Sequence, residues 1–155
     1  MLRDNFQPDY GNSEQFFQNG NGVLTYFDPN RNLWLSVNRS TLTFGINHNM
    51  ISGKRFMTMV AEISSNNSGY VSFRSGIITA ISAHCKESVN TYFRIIKNND
   101  LVNDYLNIYM DDQISNSTDN LTVNFSNSDV LQCLIDVDPG SYVSYPTVQL
   151  EIAWT

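Results

Sequence analysis

Histidine and cysteine are the scarcest reactive side chains in this sequence, and their small number limits the chemistry that it could perform. The imidazoles are His48, in an Asn-rich stretch, and His84, which directly precedes Cys85. A nucleophilic His84–Cys85 pair would need its ring and its sulfur on one side of the chain. Neighbouring residues of a β-strand point to opposite faces, so ordinary packing is favoured for both side chains.

Sequence motifs for phosphate, acyl-transfer and metal chemistry are also missing. Gly20-Asn21-Gly22 begins like a dinucleotide fingerprint but lacks the third glycine and a following helical segment. The sequence contains no nucleophile elbow, no zinc-protease motif and no Cys-x-x-Cys. Cys85 and Cys133 lie in apolar strands and are predicted to be buried free thiols. We therefore expect a binding or structural protein rather than an enzyme.

Two groups of acidic residues are candidates for a structural ion. Asp136 and Asp138 alternate in a predicted turn that ends in Pro139-Gly140, and Asp111 is followed by Asp112. Carboxylates placed in this way can bind calcium through hard oxygen ligands. Solvated acidic residues are commoner in turns, so the sequence predicts no cofactor, with a calcium ion at Asp136 and Asp138 as the alternative.

Tyrosine is the other functional lead, because exposed aromatic rings stack on sugars or anchor protein interfaces. Tyr105 and Tyr109 are predicted on the exposed face of a strand, and Tyr142 and Tyr145 in the loop before the last strand. The first pair could bind a sugar or lie at a subunit interface, and the interface is favoured. We take all four as ligand or interface candidates.

Charge and composition exclude several classes of partner. The formal charge is −6 and only 15% of the residues are charged, so Asn, Ser and Thr supply much of the polar surface. Nucleic acid requires a basic stripe, which this composition does not provide. No apolar run approaches the roughly 18 residues of a membrane span, and the first residues lack a signal-peptide core. We expect synthesis in a cytoplasm and a surface suited to carbohydrate, coat-protein or self-association contacts.

The hydrophobic pattern predicts an all-β protein. Leu121, Val123 and Phe125 share one face of a strand, and short apolar segments with period two recur from residue 23 onward, separated by turn-forming clusters. The chain of 155 residues suits one domain. An antiparallel jelly-roll β-sandwich of about ten strands, over residues 23–155, is the preferred architecture.

Residues 1–22 differ from the rest, because they are rich in turn-forming Asn and Gly. We interpret them as an arm without stable structure of its own. Its aromatic residues could attach the protein to a partner, or could pack on the domain. The attachment candidates are Phe6, Tyr10, Phe16 and Phe17.

Several stretches resemble the C-terminal heads of bacterial and phage collagen-like or fibre proteins, which are trimeric jelly rolls similar to tumour necrosis factor and to the spore-hair glycoprotein of bacilli. The resemblance covers about residues 28–155 and is carried by residues 28–39, 44–45, 75–83, 93–98 and 148–154. Gly76 would occupy a turn with unusual backbone angles. Phe73-Arg74 stands where the family usually has proline, and a collagen-like stalk is missing.

The resemblance implies a homotrimer and supplies no catalytic residues. We expect a structural virion protein, such as a phage capsid decoration, head-fibre or tail-fibre component, that binds a capsid, tail or fibre protein through its arm. The alternative is a carbohydrate- or receptor-binding adhesin or lectin module at a cell surface. A weakly charged exterior would limit repulsion between three chains of charge −6.

Overall fold

The computed structural model describes residues 16–18, 23–59 and 69–155. Every regular element within these ranges is a β-strand, as the sequence predicts. The strands are β1 (Phe16–Gln18), β2 (Leu24–Asp28), β3 (Leu33–Ser36), β4 (Arg39–Gly45), β5 (Asn49–Phe56), β6 (Tyr70–Val71), β7 (Gly76–Lys97), β8 (Leu106–Thr118), β9 (Val123–Phe125), β10 (Val130–Ser144) and β11 (Thr147–Trp154).

The strands form two sheets. The larger sheet has eight strands in the central order β4-β11-β7-β10-β5, with β6 paired to β10, and β8 and β9 paired to β7. The smaller sheet has the order β1-β2-β3. All of these pairings are antiparallel, which confirms an all-β, antiparallel fold.

Strand β7 organises the larger sheet. Its first part pairs with β11 and its second part with β10, while β8 follows its other edge. The sequence predicts two strands here, over 76–84 and 91–96, but β7 is continuous through 22 residues. The polar residues between those segments remain in the strand, and the register between β7 and β8 shifts there, between His84 and Val89. Extra residues taken up in this way bend a strand without ending it.

Strands β5 and β10 also differ from their predicted bounds. The sequence predicts a strand over 56–63, whereas β5 spans Asn49–Phe56, and residues 60–63 lie outside the described ranges. Most of β5 is exposed, so its sequence lacks a clear apolar alternation. The predicted turn at 138–140 lies inside β10, where the register with β5 shifts between Val137 and Tyr142.

The strands of the larger sheet share one hydrophobic cluster. It includes side chains from both parts of β7, such as Ile81 and Phe93, and from β4, β8, β10 and β11. Cys85 and Cys133 belong to this cluster as buried free cysteines, as predicted. Both parts of β7 therefore contribute to one core.

The smaller sheet docks on the end of β11 and the start of β7. Leu35 packs with Ile77 and Ala153 in a separate buried cluster. The backbone N–H of Trp154 donates to Ser36 Oγ at 2.9 Å. The strand β1 pairs with β2, so residues 16–18 of the expected arm are paired in this sheet.

Gly76 is required for close packing rather than for a turn. Its backbone does not have the positive φ angle that the resemblance led us to expect. A Cβ atom at this position would lie 2.6 Å from Ala153 O and 2.8 Å from the ring of Phe125. The start of β7 therefore fits between β11 and β9 only without a side chain.

Candidate functional site

A cluster of aromatic and charged side chains lies on the outward face of the larger sheet. Tyr92 on β7 is paired with Tyr109 on β8 and with Asp136 on β10, and Arg94 follows two residues later on the same face of β7. Asp104, in the segment before β8, completes the cluster through Arg94. We call these five residues the tyrosine–arginine patch.

The two tyrosine rings of the patch pack against each other in a tilted arrangement. Their centroids are 4.3 Å apart and their planes are inclined by 33°. Tyr92 remains 40% exposed. Desolvation raises the pKa of Tyr109, and the carboxylates of Asp111 and Asp138 raise it further. The pair thus offers an aromatic surface to a partner.

Arg94 lies between two carboxylates beside this ring pair. Its guanidinium is 3.2 Å from Asp136 Oδ2 and 3.5 Å from Asp104 Oδ1. Lys54 Nζ on β5 lies 3.3 Å from the same oxygen of Asp136. The Nε of Arg94 is buried without a hydrogen-bond partner. These contacts hold the guanidinium in place, about 6.0 Å from the centre of the Tyr92 ring.

The predicted calcium candidates lie in β10 rather than in a free turn. Asp136 is neutralised by Lys54 and Arg94, whose positive charges disfavour a cation at this carboxylate. Asp138 is exposed at the irregular part of β10. Across residues 16–18, 23–59 and 69–155, no group of three or more His, Cys, Asp or Glu side chains is arranged to hold a metal ion.

Tyr105 differs from its predicted exposure. Its backbone N–H donates to Ile95 O at 3.1 Å, and its side chain packs half-buried against the core cluster. Its hydroxyl is buried without a hydrogen-bond partner. Burial, together with the charge of Asp129, raises its pKa to about 12. Lys97 Nζ lies 4.4 Å from the ring centre.

The remaining tyrosine candidates lie at the junction of β10 and β11. Tyr142 belongs to β10, is 54% exposed and donates its hydroxyl to Glu87 at 2.5 Å. Tyr145 lies between the strands, is 50% exposed and has a φ of 50°. It borders a groove of about 420 Å³, which we call the Tyr145 groove. The groove is lined by Thr43, Gly45, Ile46, Asn47, Thr58, Met59, Tyr145 and Thr147.

Histidine and cysteine are kept apart, as the strand geometry predicts. His84 is exposed, whereas the next residue, Cys85, is fully buried. Burial raises the pKa of Cys85 to about 12, which suppresses formation of its thiolate. His48 Nε2 lies 3.0 Å from the guanidinium of Arg55 on the exposed strand β5.

Most of the arm lies outside the described residues, including the attachment candidates Phe6 and Tyr10. Phe16 is in β1 and is 56% exposed, and Phe17 follows it in the same strand. Leu24 and Val37 are also exposed, and they are joined by a backbone hydrogen bond from Val37 N to Leu24 O at 2.8 Å. The smaller sheet therefore exposes apolar side chains.

Sequence reasoning missed Tyr92 and Arg94 as site residues. They alternate with the buried residues Phe93 and Ile95, so the period-two pattern of this strand could have predicted that both face outward. What the pattern lacked was the pairing of β7 with β8, which places Tyr92 against Tyr109. The Tyr145 groove was missed because its lining comes from separate parts of the chain.

Comparisons with known proteins give little further information. No protein-family model matches the sequence, and no curated protein matches it significantly. A solved structure described as the crystal structure of FlhE is similar over 76% of this chain and 98% of its own, with a TM-score of 0.37 and 10% identity. A likeness this distant carries no argument about function. Within the described residues, no helix is long and apolar enough to cross a membrane.

Proposed function

We propose that the protein is a homotrimeric structural component of a virion, in which residues 23–155 form a jelly-roll sandwich and residues 1–22 attach it to a capsid, tail or fibre protein. Capsid decoration, head-fibre and tail-fibre roles all fit this arrangement. The resemblance to trimeric fibre heads is the origin of the proposal. The contacts of the described residues support it in three respects.

The tyrosine–arginine patch is the observation that carries self-association. Tyr and Arg are the residue types most enriched at the centres of protein interfaces. Here Tyr92, Tyr109 and Arg94 lie together on an outward sheet face, and Tyr92 is 40% exposed. Ion pairs fix Arg94 before any partner binds. A rigid patch loses little conformational entropy on association.

The sandwich is supported by which strands contribute residues to the core cluster. Residues from both parts of β7 contribute to one cluster, together with Leu42 of β4 and Val143 of β10. A sheet bent at the irregular pairing between β7 and β8 can bring its two parts to face each other.

Attachment by the arm is supported by the smaller sheet. Phe16, Leu24 and Val37 leave apolar surface exposed on the smaller sheet. Clustered exposed apolar side chains are typical of protein contact sites. The arm of residues 1–22 would then bind its partner together with the apolar surface that the domain already presents.

Self-association can be tested by measuring mass in solution by light scattering. We expect the wild-type protein to have three times the 17.6 kDa mass of the chain. The double variant Tyr92→Ala/Tyr109→Ala is expected to shift toward monomer, because it removes the aromatic centre of the patch. Tyr142→Ala, an exposed tyrosine outside the patch, is the matched control and should remain trimeric. A monomeric wild-type protein would contradict the proposal.

A carbohydrate-binding role is the second candidate. The observation that favours it is the half-exposed ring of Tyr145, which borders a concave surface. Tyr142 is not among the residues that line this surface. Exposed tyrosines of this kind stack on sugar rings. This role is compatible with the first, because a trimeric head can project binding sites away from the particle.

A further inference from the structure

We propose that the Tyr145 groove binds one uncharged pyranose unit of a glycan, with the ring of Tyr145 stacked on the sugar. This inference rests on the carbohydrate-binding role and assigns its site and ligand class. It does not depend on the trimer or on the virion role.

The groove is built on the backbone at the end of β4. Gly45 and Thr58 form a two-way bridge, in which Gly45 N donates to Thr58 O at 2.8 Å and Thr58 N donates to Gly45 O at 2.9 Å. The Thr58 hydroxyl also donates to Gly45 O at 2.7 Å, which fixes its orientation and leaves its oxygen able to accept. Gly45 is paired with Thr147 on β11, so both lie on one face of the sheet.

The second wall is formed by strand residues of that same face. Thr43 lies two residues before Gly45 and is exposed. Thr147 is half-buried, and its Oγ1 would lie 4.0 Å from a Cβ atom added at Gly45. The missing side chain at Gly45 therefore leaves space between the hydroxyl-bearing residues. At about 420 Å³, the groove falls within the range of small-ligand sites, about 300–1,000 Å³.

Tyr145 is held at the rim in an uncommon backbone conformation. Its φ of 50° lies in the left-handed region, which costs a residue with a bulky side chain of order 1–3 kcal/mol. Strain of this kind persists where the surrounding structure enforces it, and it is concentrated at functional sites. The ring is 50% exposed and borders the groove, where a ligand can reach it.

The chemistry of the lining selects an uncharged ligand. The groove contains threonine hydroxyls, an asparagine amide and apolar side chains, but none of its lining residues is charged. Lys86 Nζ lies 6.0 Å from the centre of the Tyr145 ring, and the next residue is the acidic Glu87. A sugar offers hydroxyls to such groups and an apolar ring face to the tyrosine. A charged ligand would lose hydration here without gaining an ion pair inside the groove.

The test is an NMR titration of the ¹⁵N-labelled full-length protein with the methyl glycosides of glucose, galactose, mannose and N-acetylglucosamine. We expect at least one of them to shift the amide signals of Gly45, Thr58 and Thr147. Tyr145→Ala should weaken that binding about tenfold, while Tyr145→Phe should keep it within about twofold, because the stacking ring is retained. Tyr142→Ala is the matched control and should bind as the wild type does. Thr43→Val, at an exposed position, tests the hydroxyl wall and should also weaken binding.

The outcomes distinguish a failure of the groove assignment from a failure of the carbohydrate-binding role. If none of the four glycosides shifts any signal of the folded wild-type protein, both this site and the carbohydrate-binding role are overturned. If a glycoside binds but shifts signals of another surface, or binds Tyr145→Ala and Thr43→Val unchanged, the groove assignment is overturned while the carbohydrate-binding role survives.

Discussion

Asp129 shows how a single carboxylate joins two turns at one end of the larger sheet. It accepts hydrogen bonds from Ser126 N at 2.8 Å and from Asn98 Nδ2 at 2.7 Å. Asn98 Oδ1 in turn accepts from Val130 N at 2.7 Å. These bonds, together with the positive charge of Lys97, lower the pKa of Asp129 below its ordinary value of 3.8. The charged form of this side chain therefore stabilises the fold.

The pH dependence of stability follows from the direction of this shift. Because the folded pKa lies below the unfolded value, the contribution is complete above about pH 4 and is lost as pH falls through the folded pKa. We expect Asp129→Asn to lower the free energy of unfolding by about 1.5–3 kcal/mol at pH 7, the range for a hydrogen bond to a charged group. Near pH 2 its stability should approach that of the wild type.

Urea denaturation at pH 7 and near pH 2 measures both effects. Asp119→Asn, which changes an exposed aspartate, is the matched control and should alter the free energy of unfolding by less than about 0.5 kcal/mol at pH 7. If Asp129→Asn were as stable as the wild type at pH 7, the charged hydrogen bonds would not contribute as we infer.

At the scale of elements, close packing against β7 depends on one small residue. A Cβ atom at Gly76 would lie 2.6 Å from the backbone oxygen of Ala153, which cannot move without disturbing β11. It would also lie 2.8 Å from Phe125 and 3.3 Å from Trp154. We expect Gly76→Ala to destabilise the protein by about 1–3 kcal/mol through overpacking.

Gly45→Ala is the control for this prediction. A Cβ atom there would meet Pro146 O at 3.7 Å, which is an ordinary contact, and the φ angle of Gly45 is not positive. Its stability should stay within about 0.5 kcal/mol of the wild type in the same thermal or urea unfolding experiment. Equal stabilities of the two variants would show that β11 and β9 shift to accommodate the added methyl group at little cost in stability.

The sequence predicts elements better than it predicts their continuity. Period two identified β4 and β11 closely, since each has one buried and one exposed face. It divided β7 at Lys86-Glu87-Ser88 because polar residues resemble a turn, whereas the strand continues through them at the place where its register with β8 shifts. It missed β5 because an exposed strand that pairs with β10 has little apolar alternation to detect.

The same limit applies to the candidate sites. Tyr109 could be identified from its own strand, but its neighbour Tyr92 depends on the register between β7 and β8. Tyr105 was predicted to be exposed because the alternation places it opposite Leu106, Ile108 and Met110. The strand β8 begins only at Leu106, and the Tyr105 side chain packs half-buried against the core cluster. Residue pattern fixes which face a side chain occupies, whereas pairing between distant strands decides what lies beside it.

At the scale of the whole molecule, electrostatics opposes the proposed association. Each chain carries a formal charge of −6, so three chains repel one another in solution. Within the tyrosine–arginine patch, Arg94 and the nearby Lys54 are balanced by Asp104 and Asp136. The carboxylates of Asp111 and Asp138 lie close enough to raise the pKa of Tyr109 and add further negative charge. We infer that aromatic contact, rather than ionic attraction, drives association through this surface.

Salt should therefore strengthen the proposed trimer. Raising the ionic strength from about 50 mM to about 500 mM shortens the screening length to a few ångströms and weakens repulsion between chains. The ion pairs that fix Arg94 lie within one chain, so their screening costs the interface little. We expect the trimer dissociation constant, measured by sedimentation equilibrium, to fall or to stay unchanged over this range. Dissociation at high salt would instead require attractive ion pairs between subunits, and would place the interface on a surface other than the tyrosine–arginine patch.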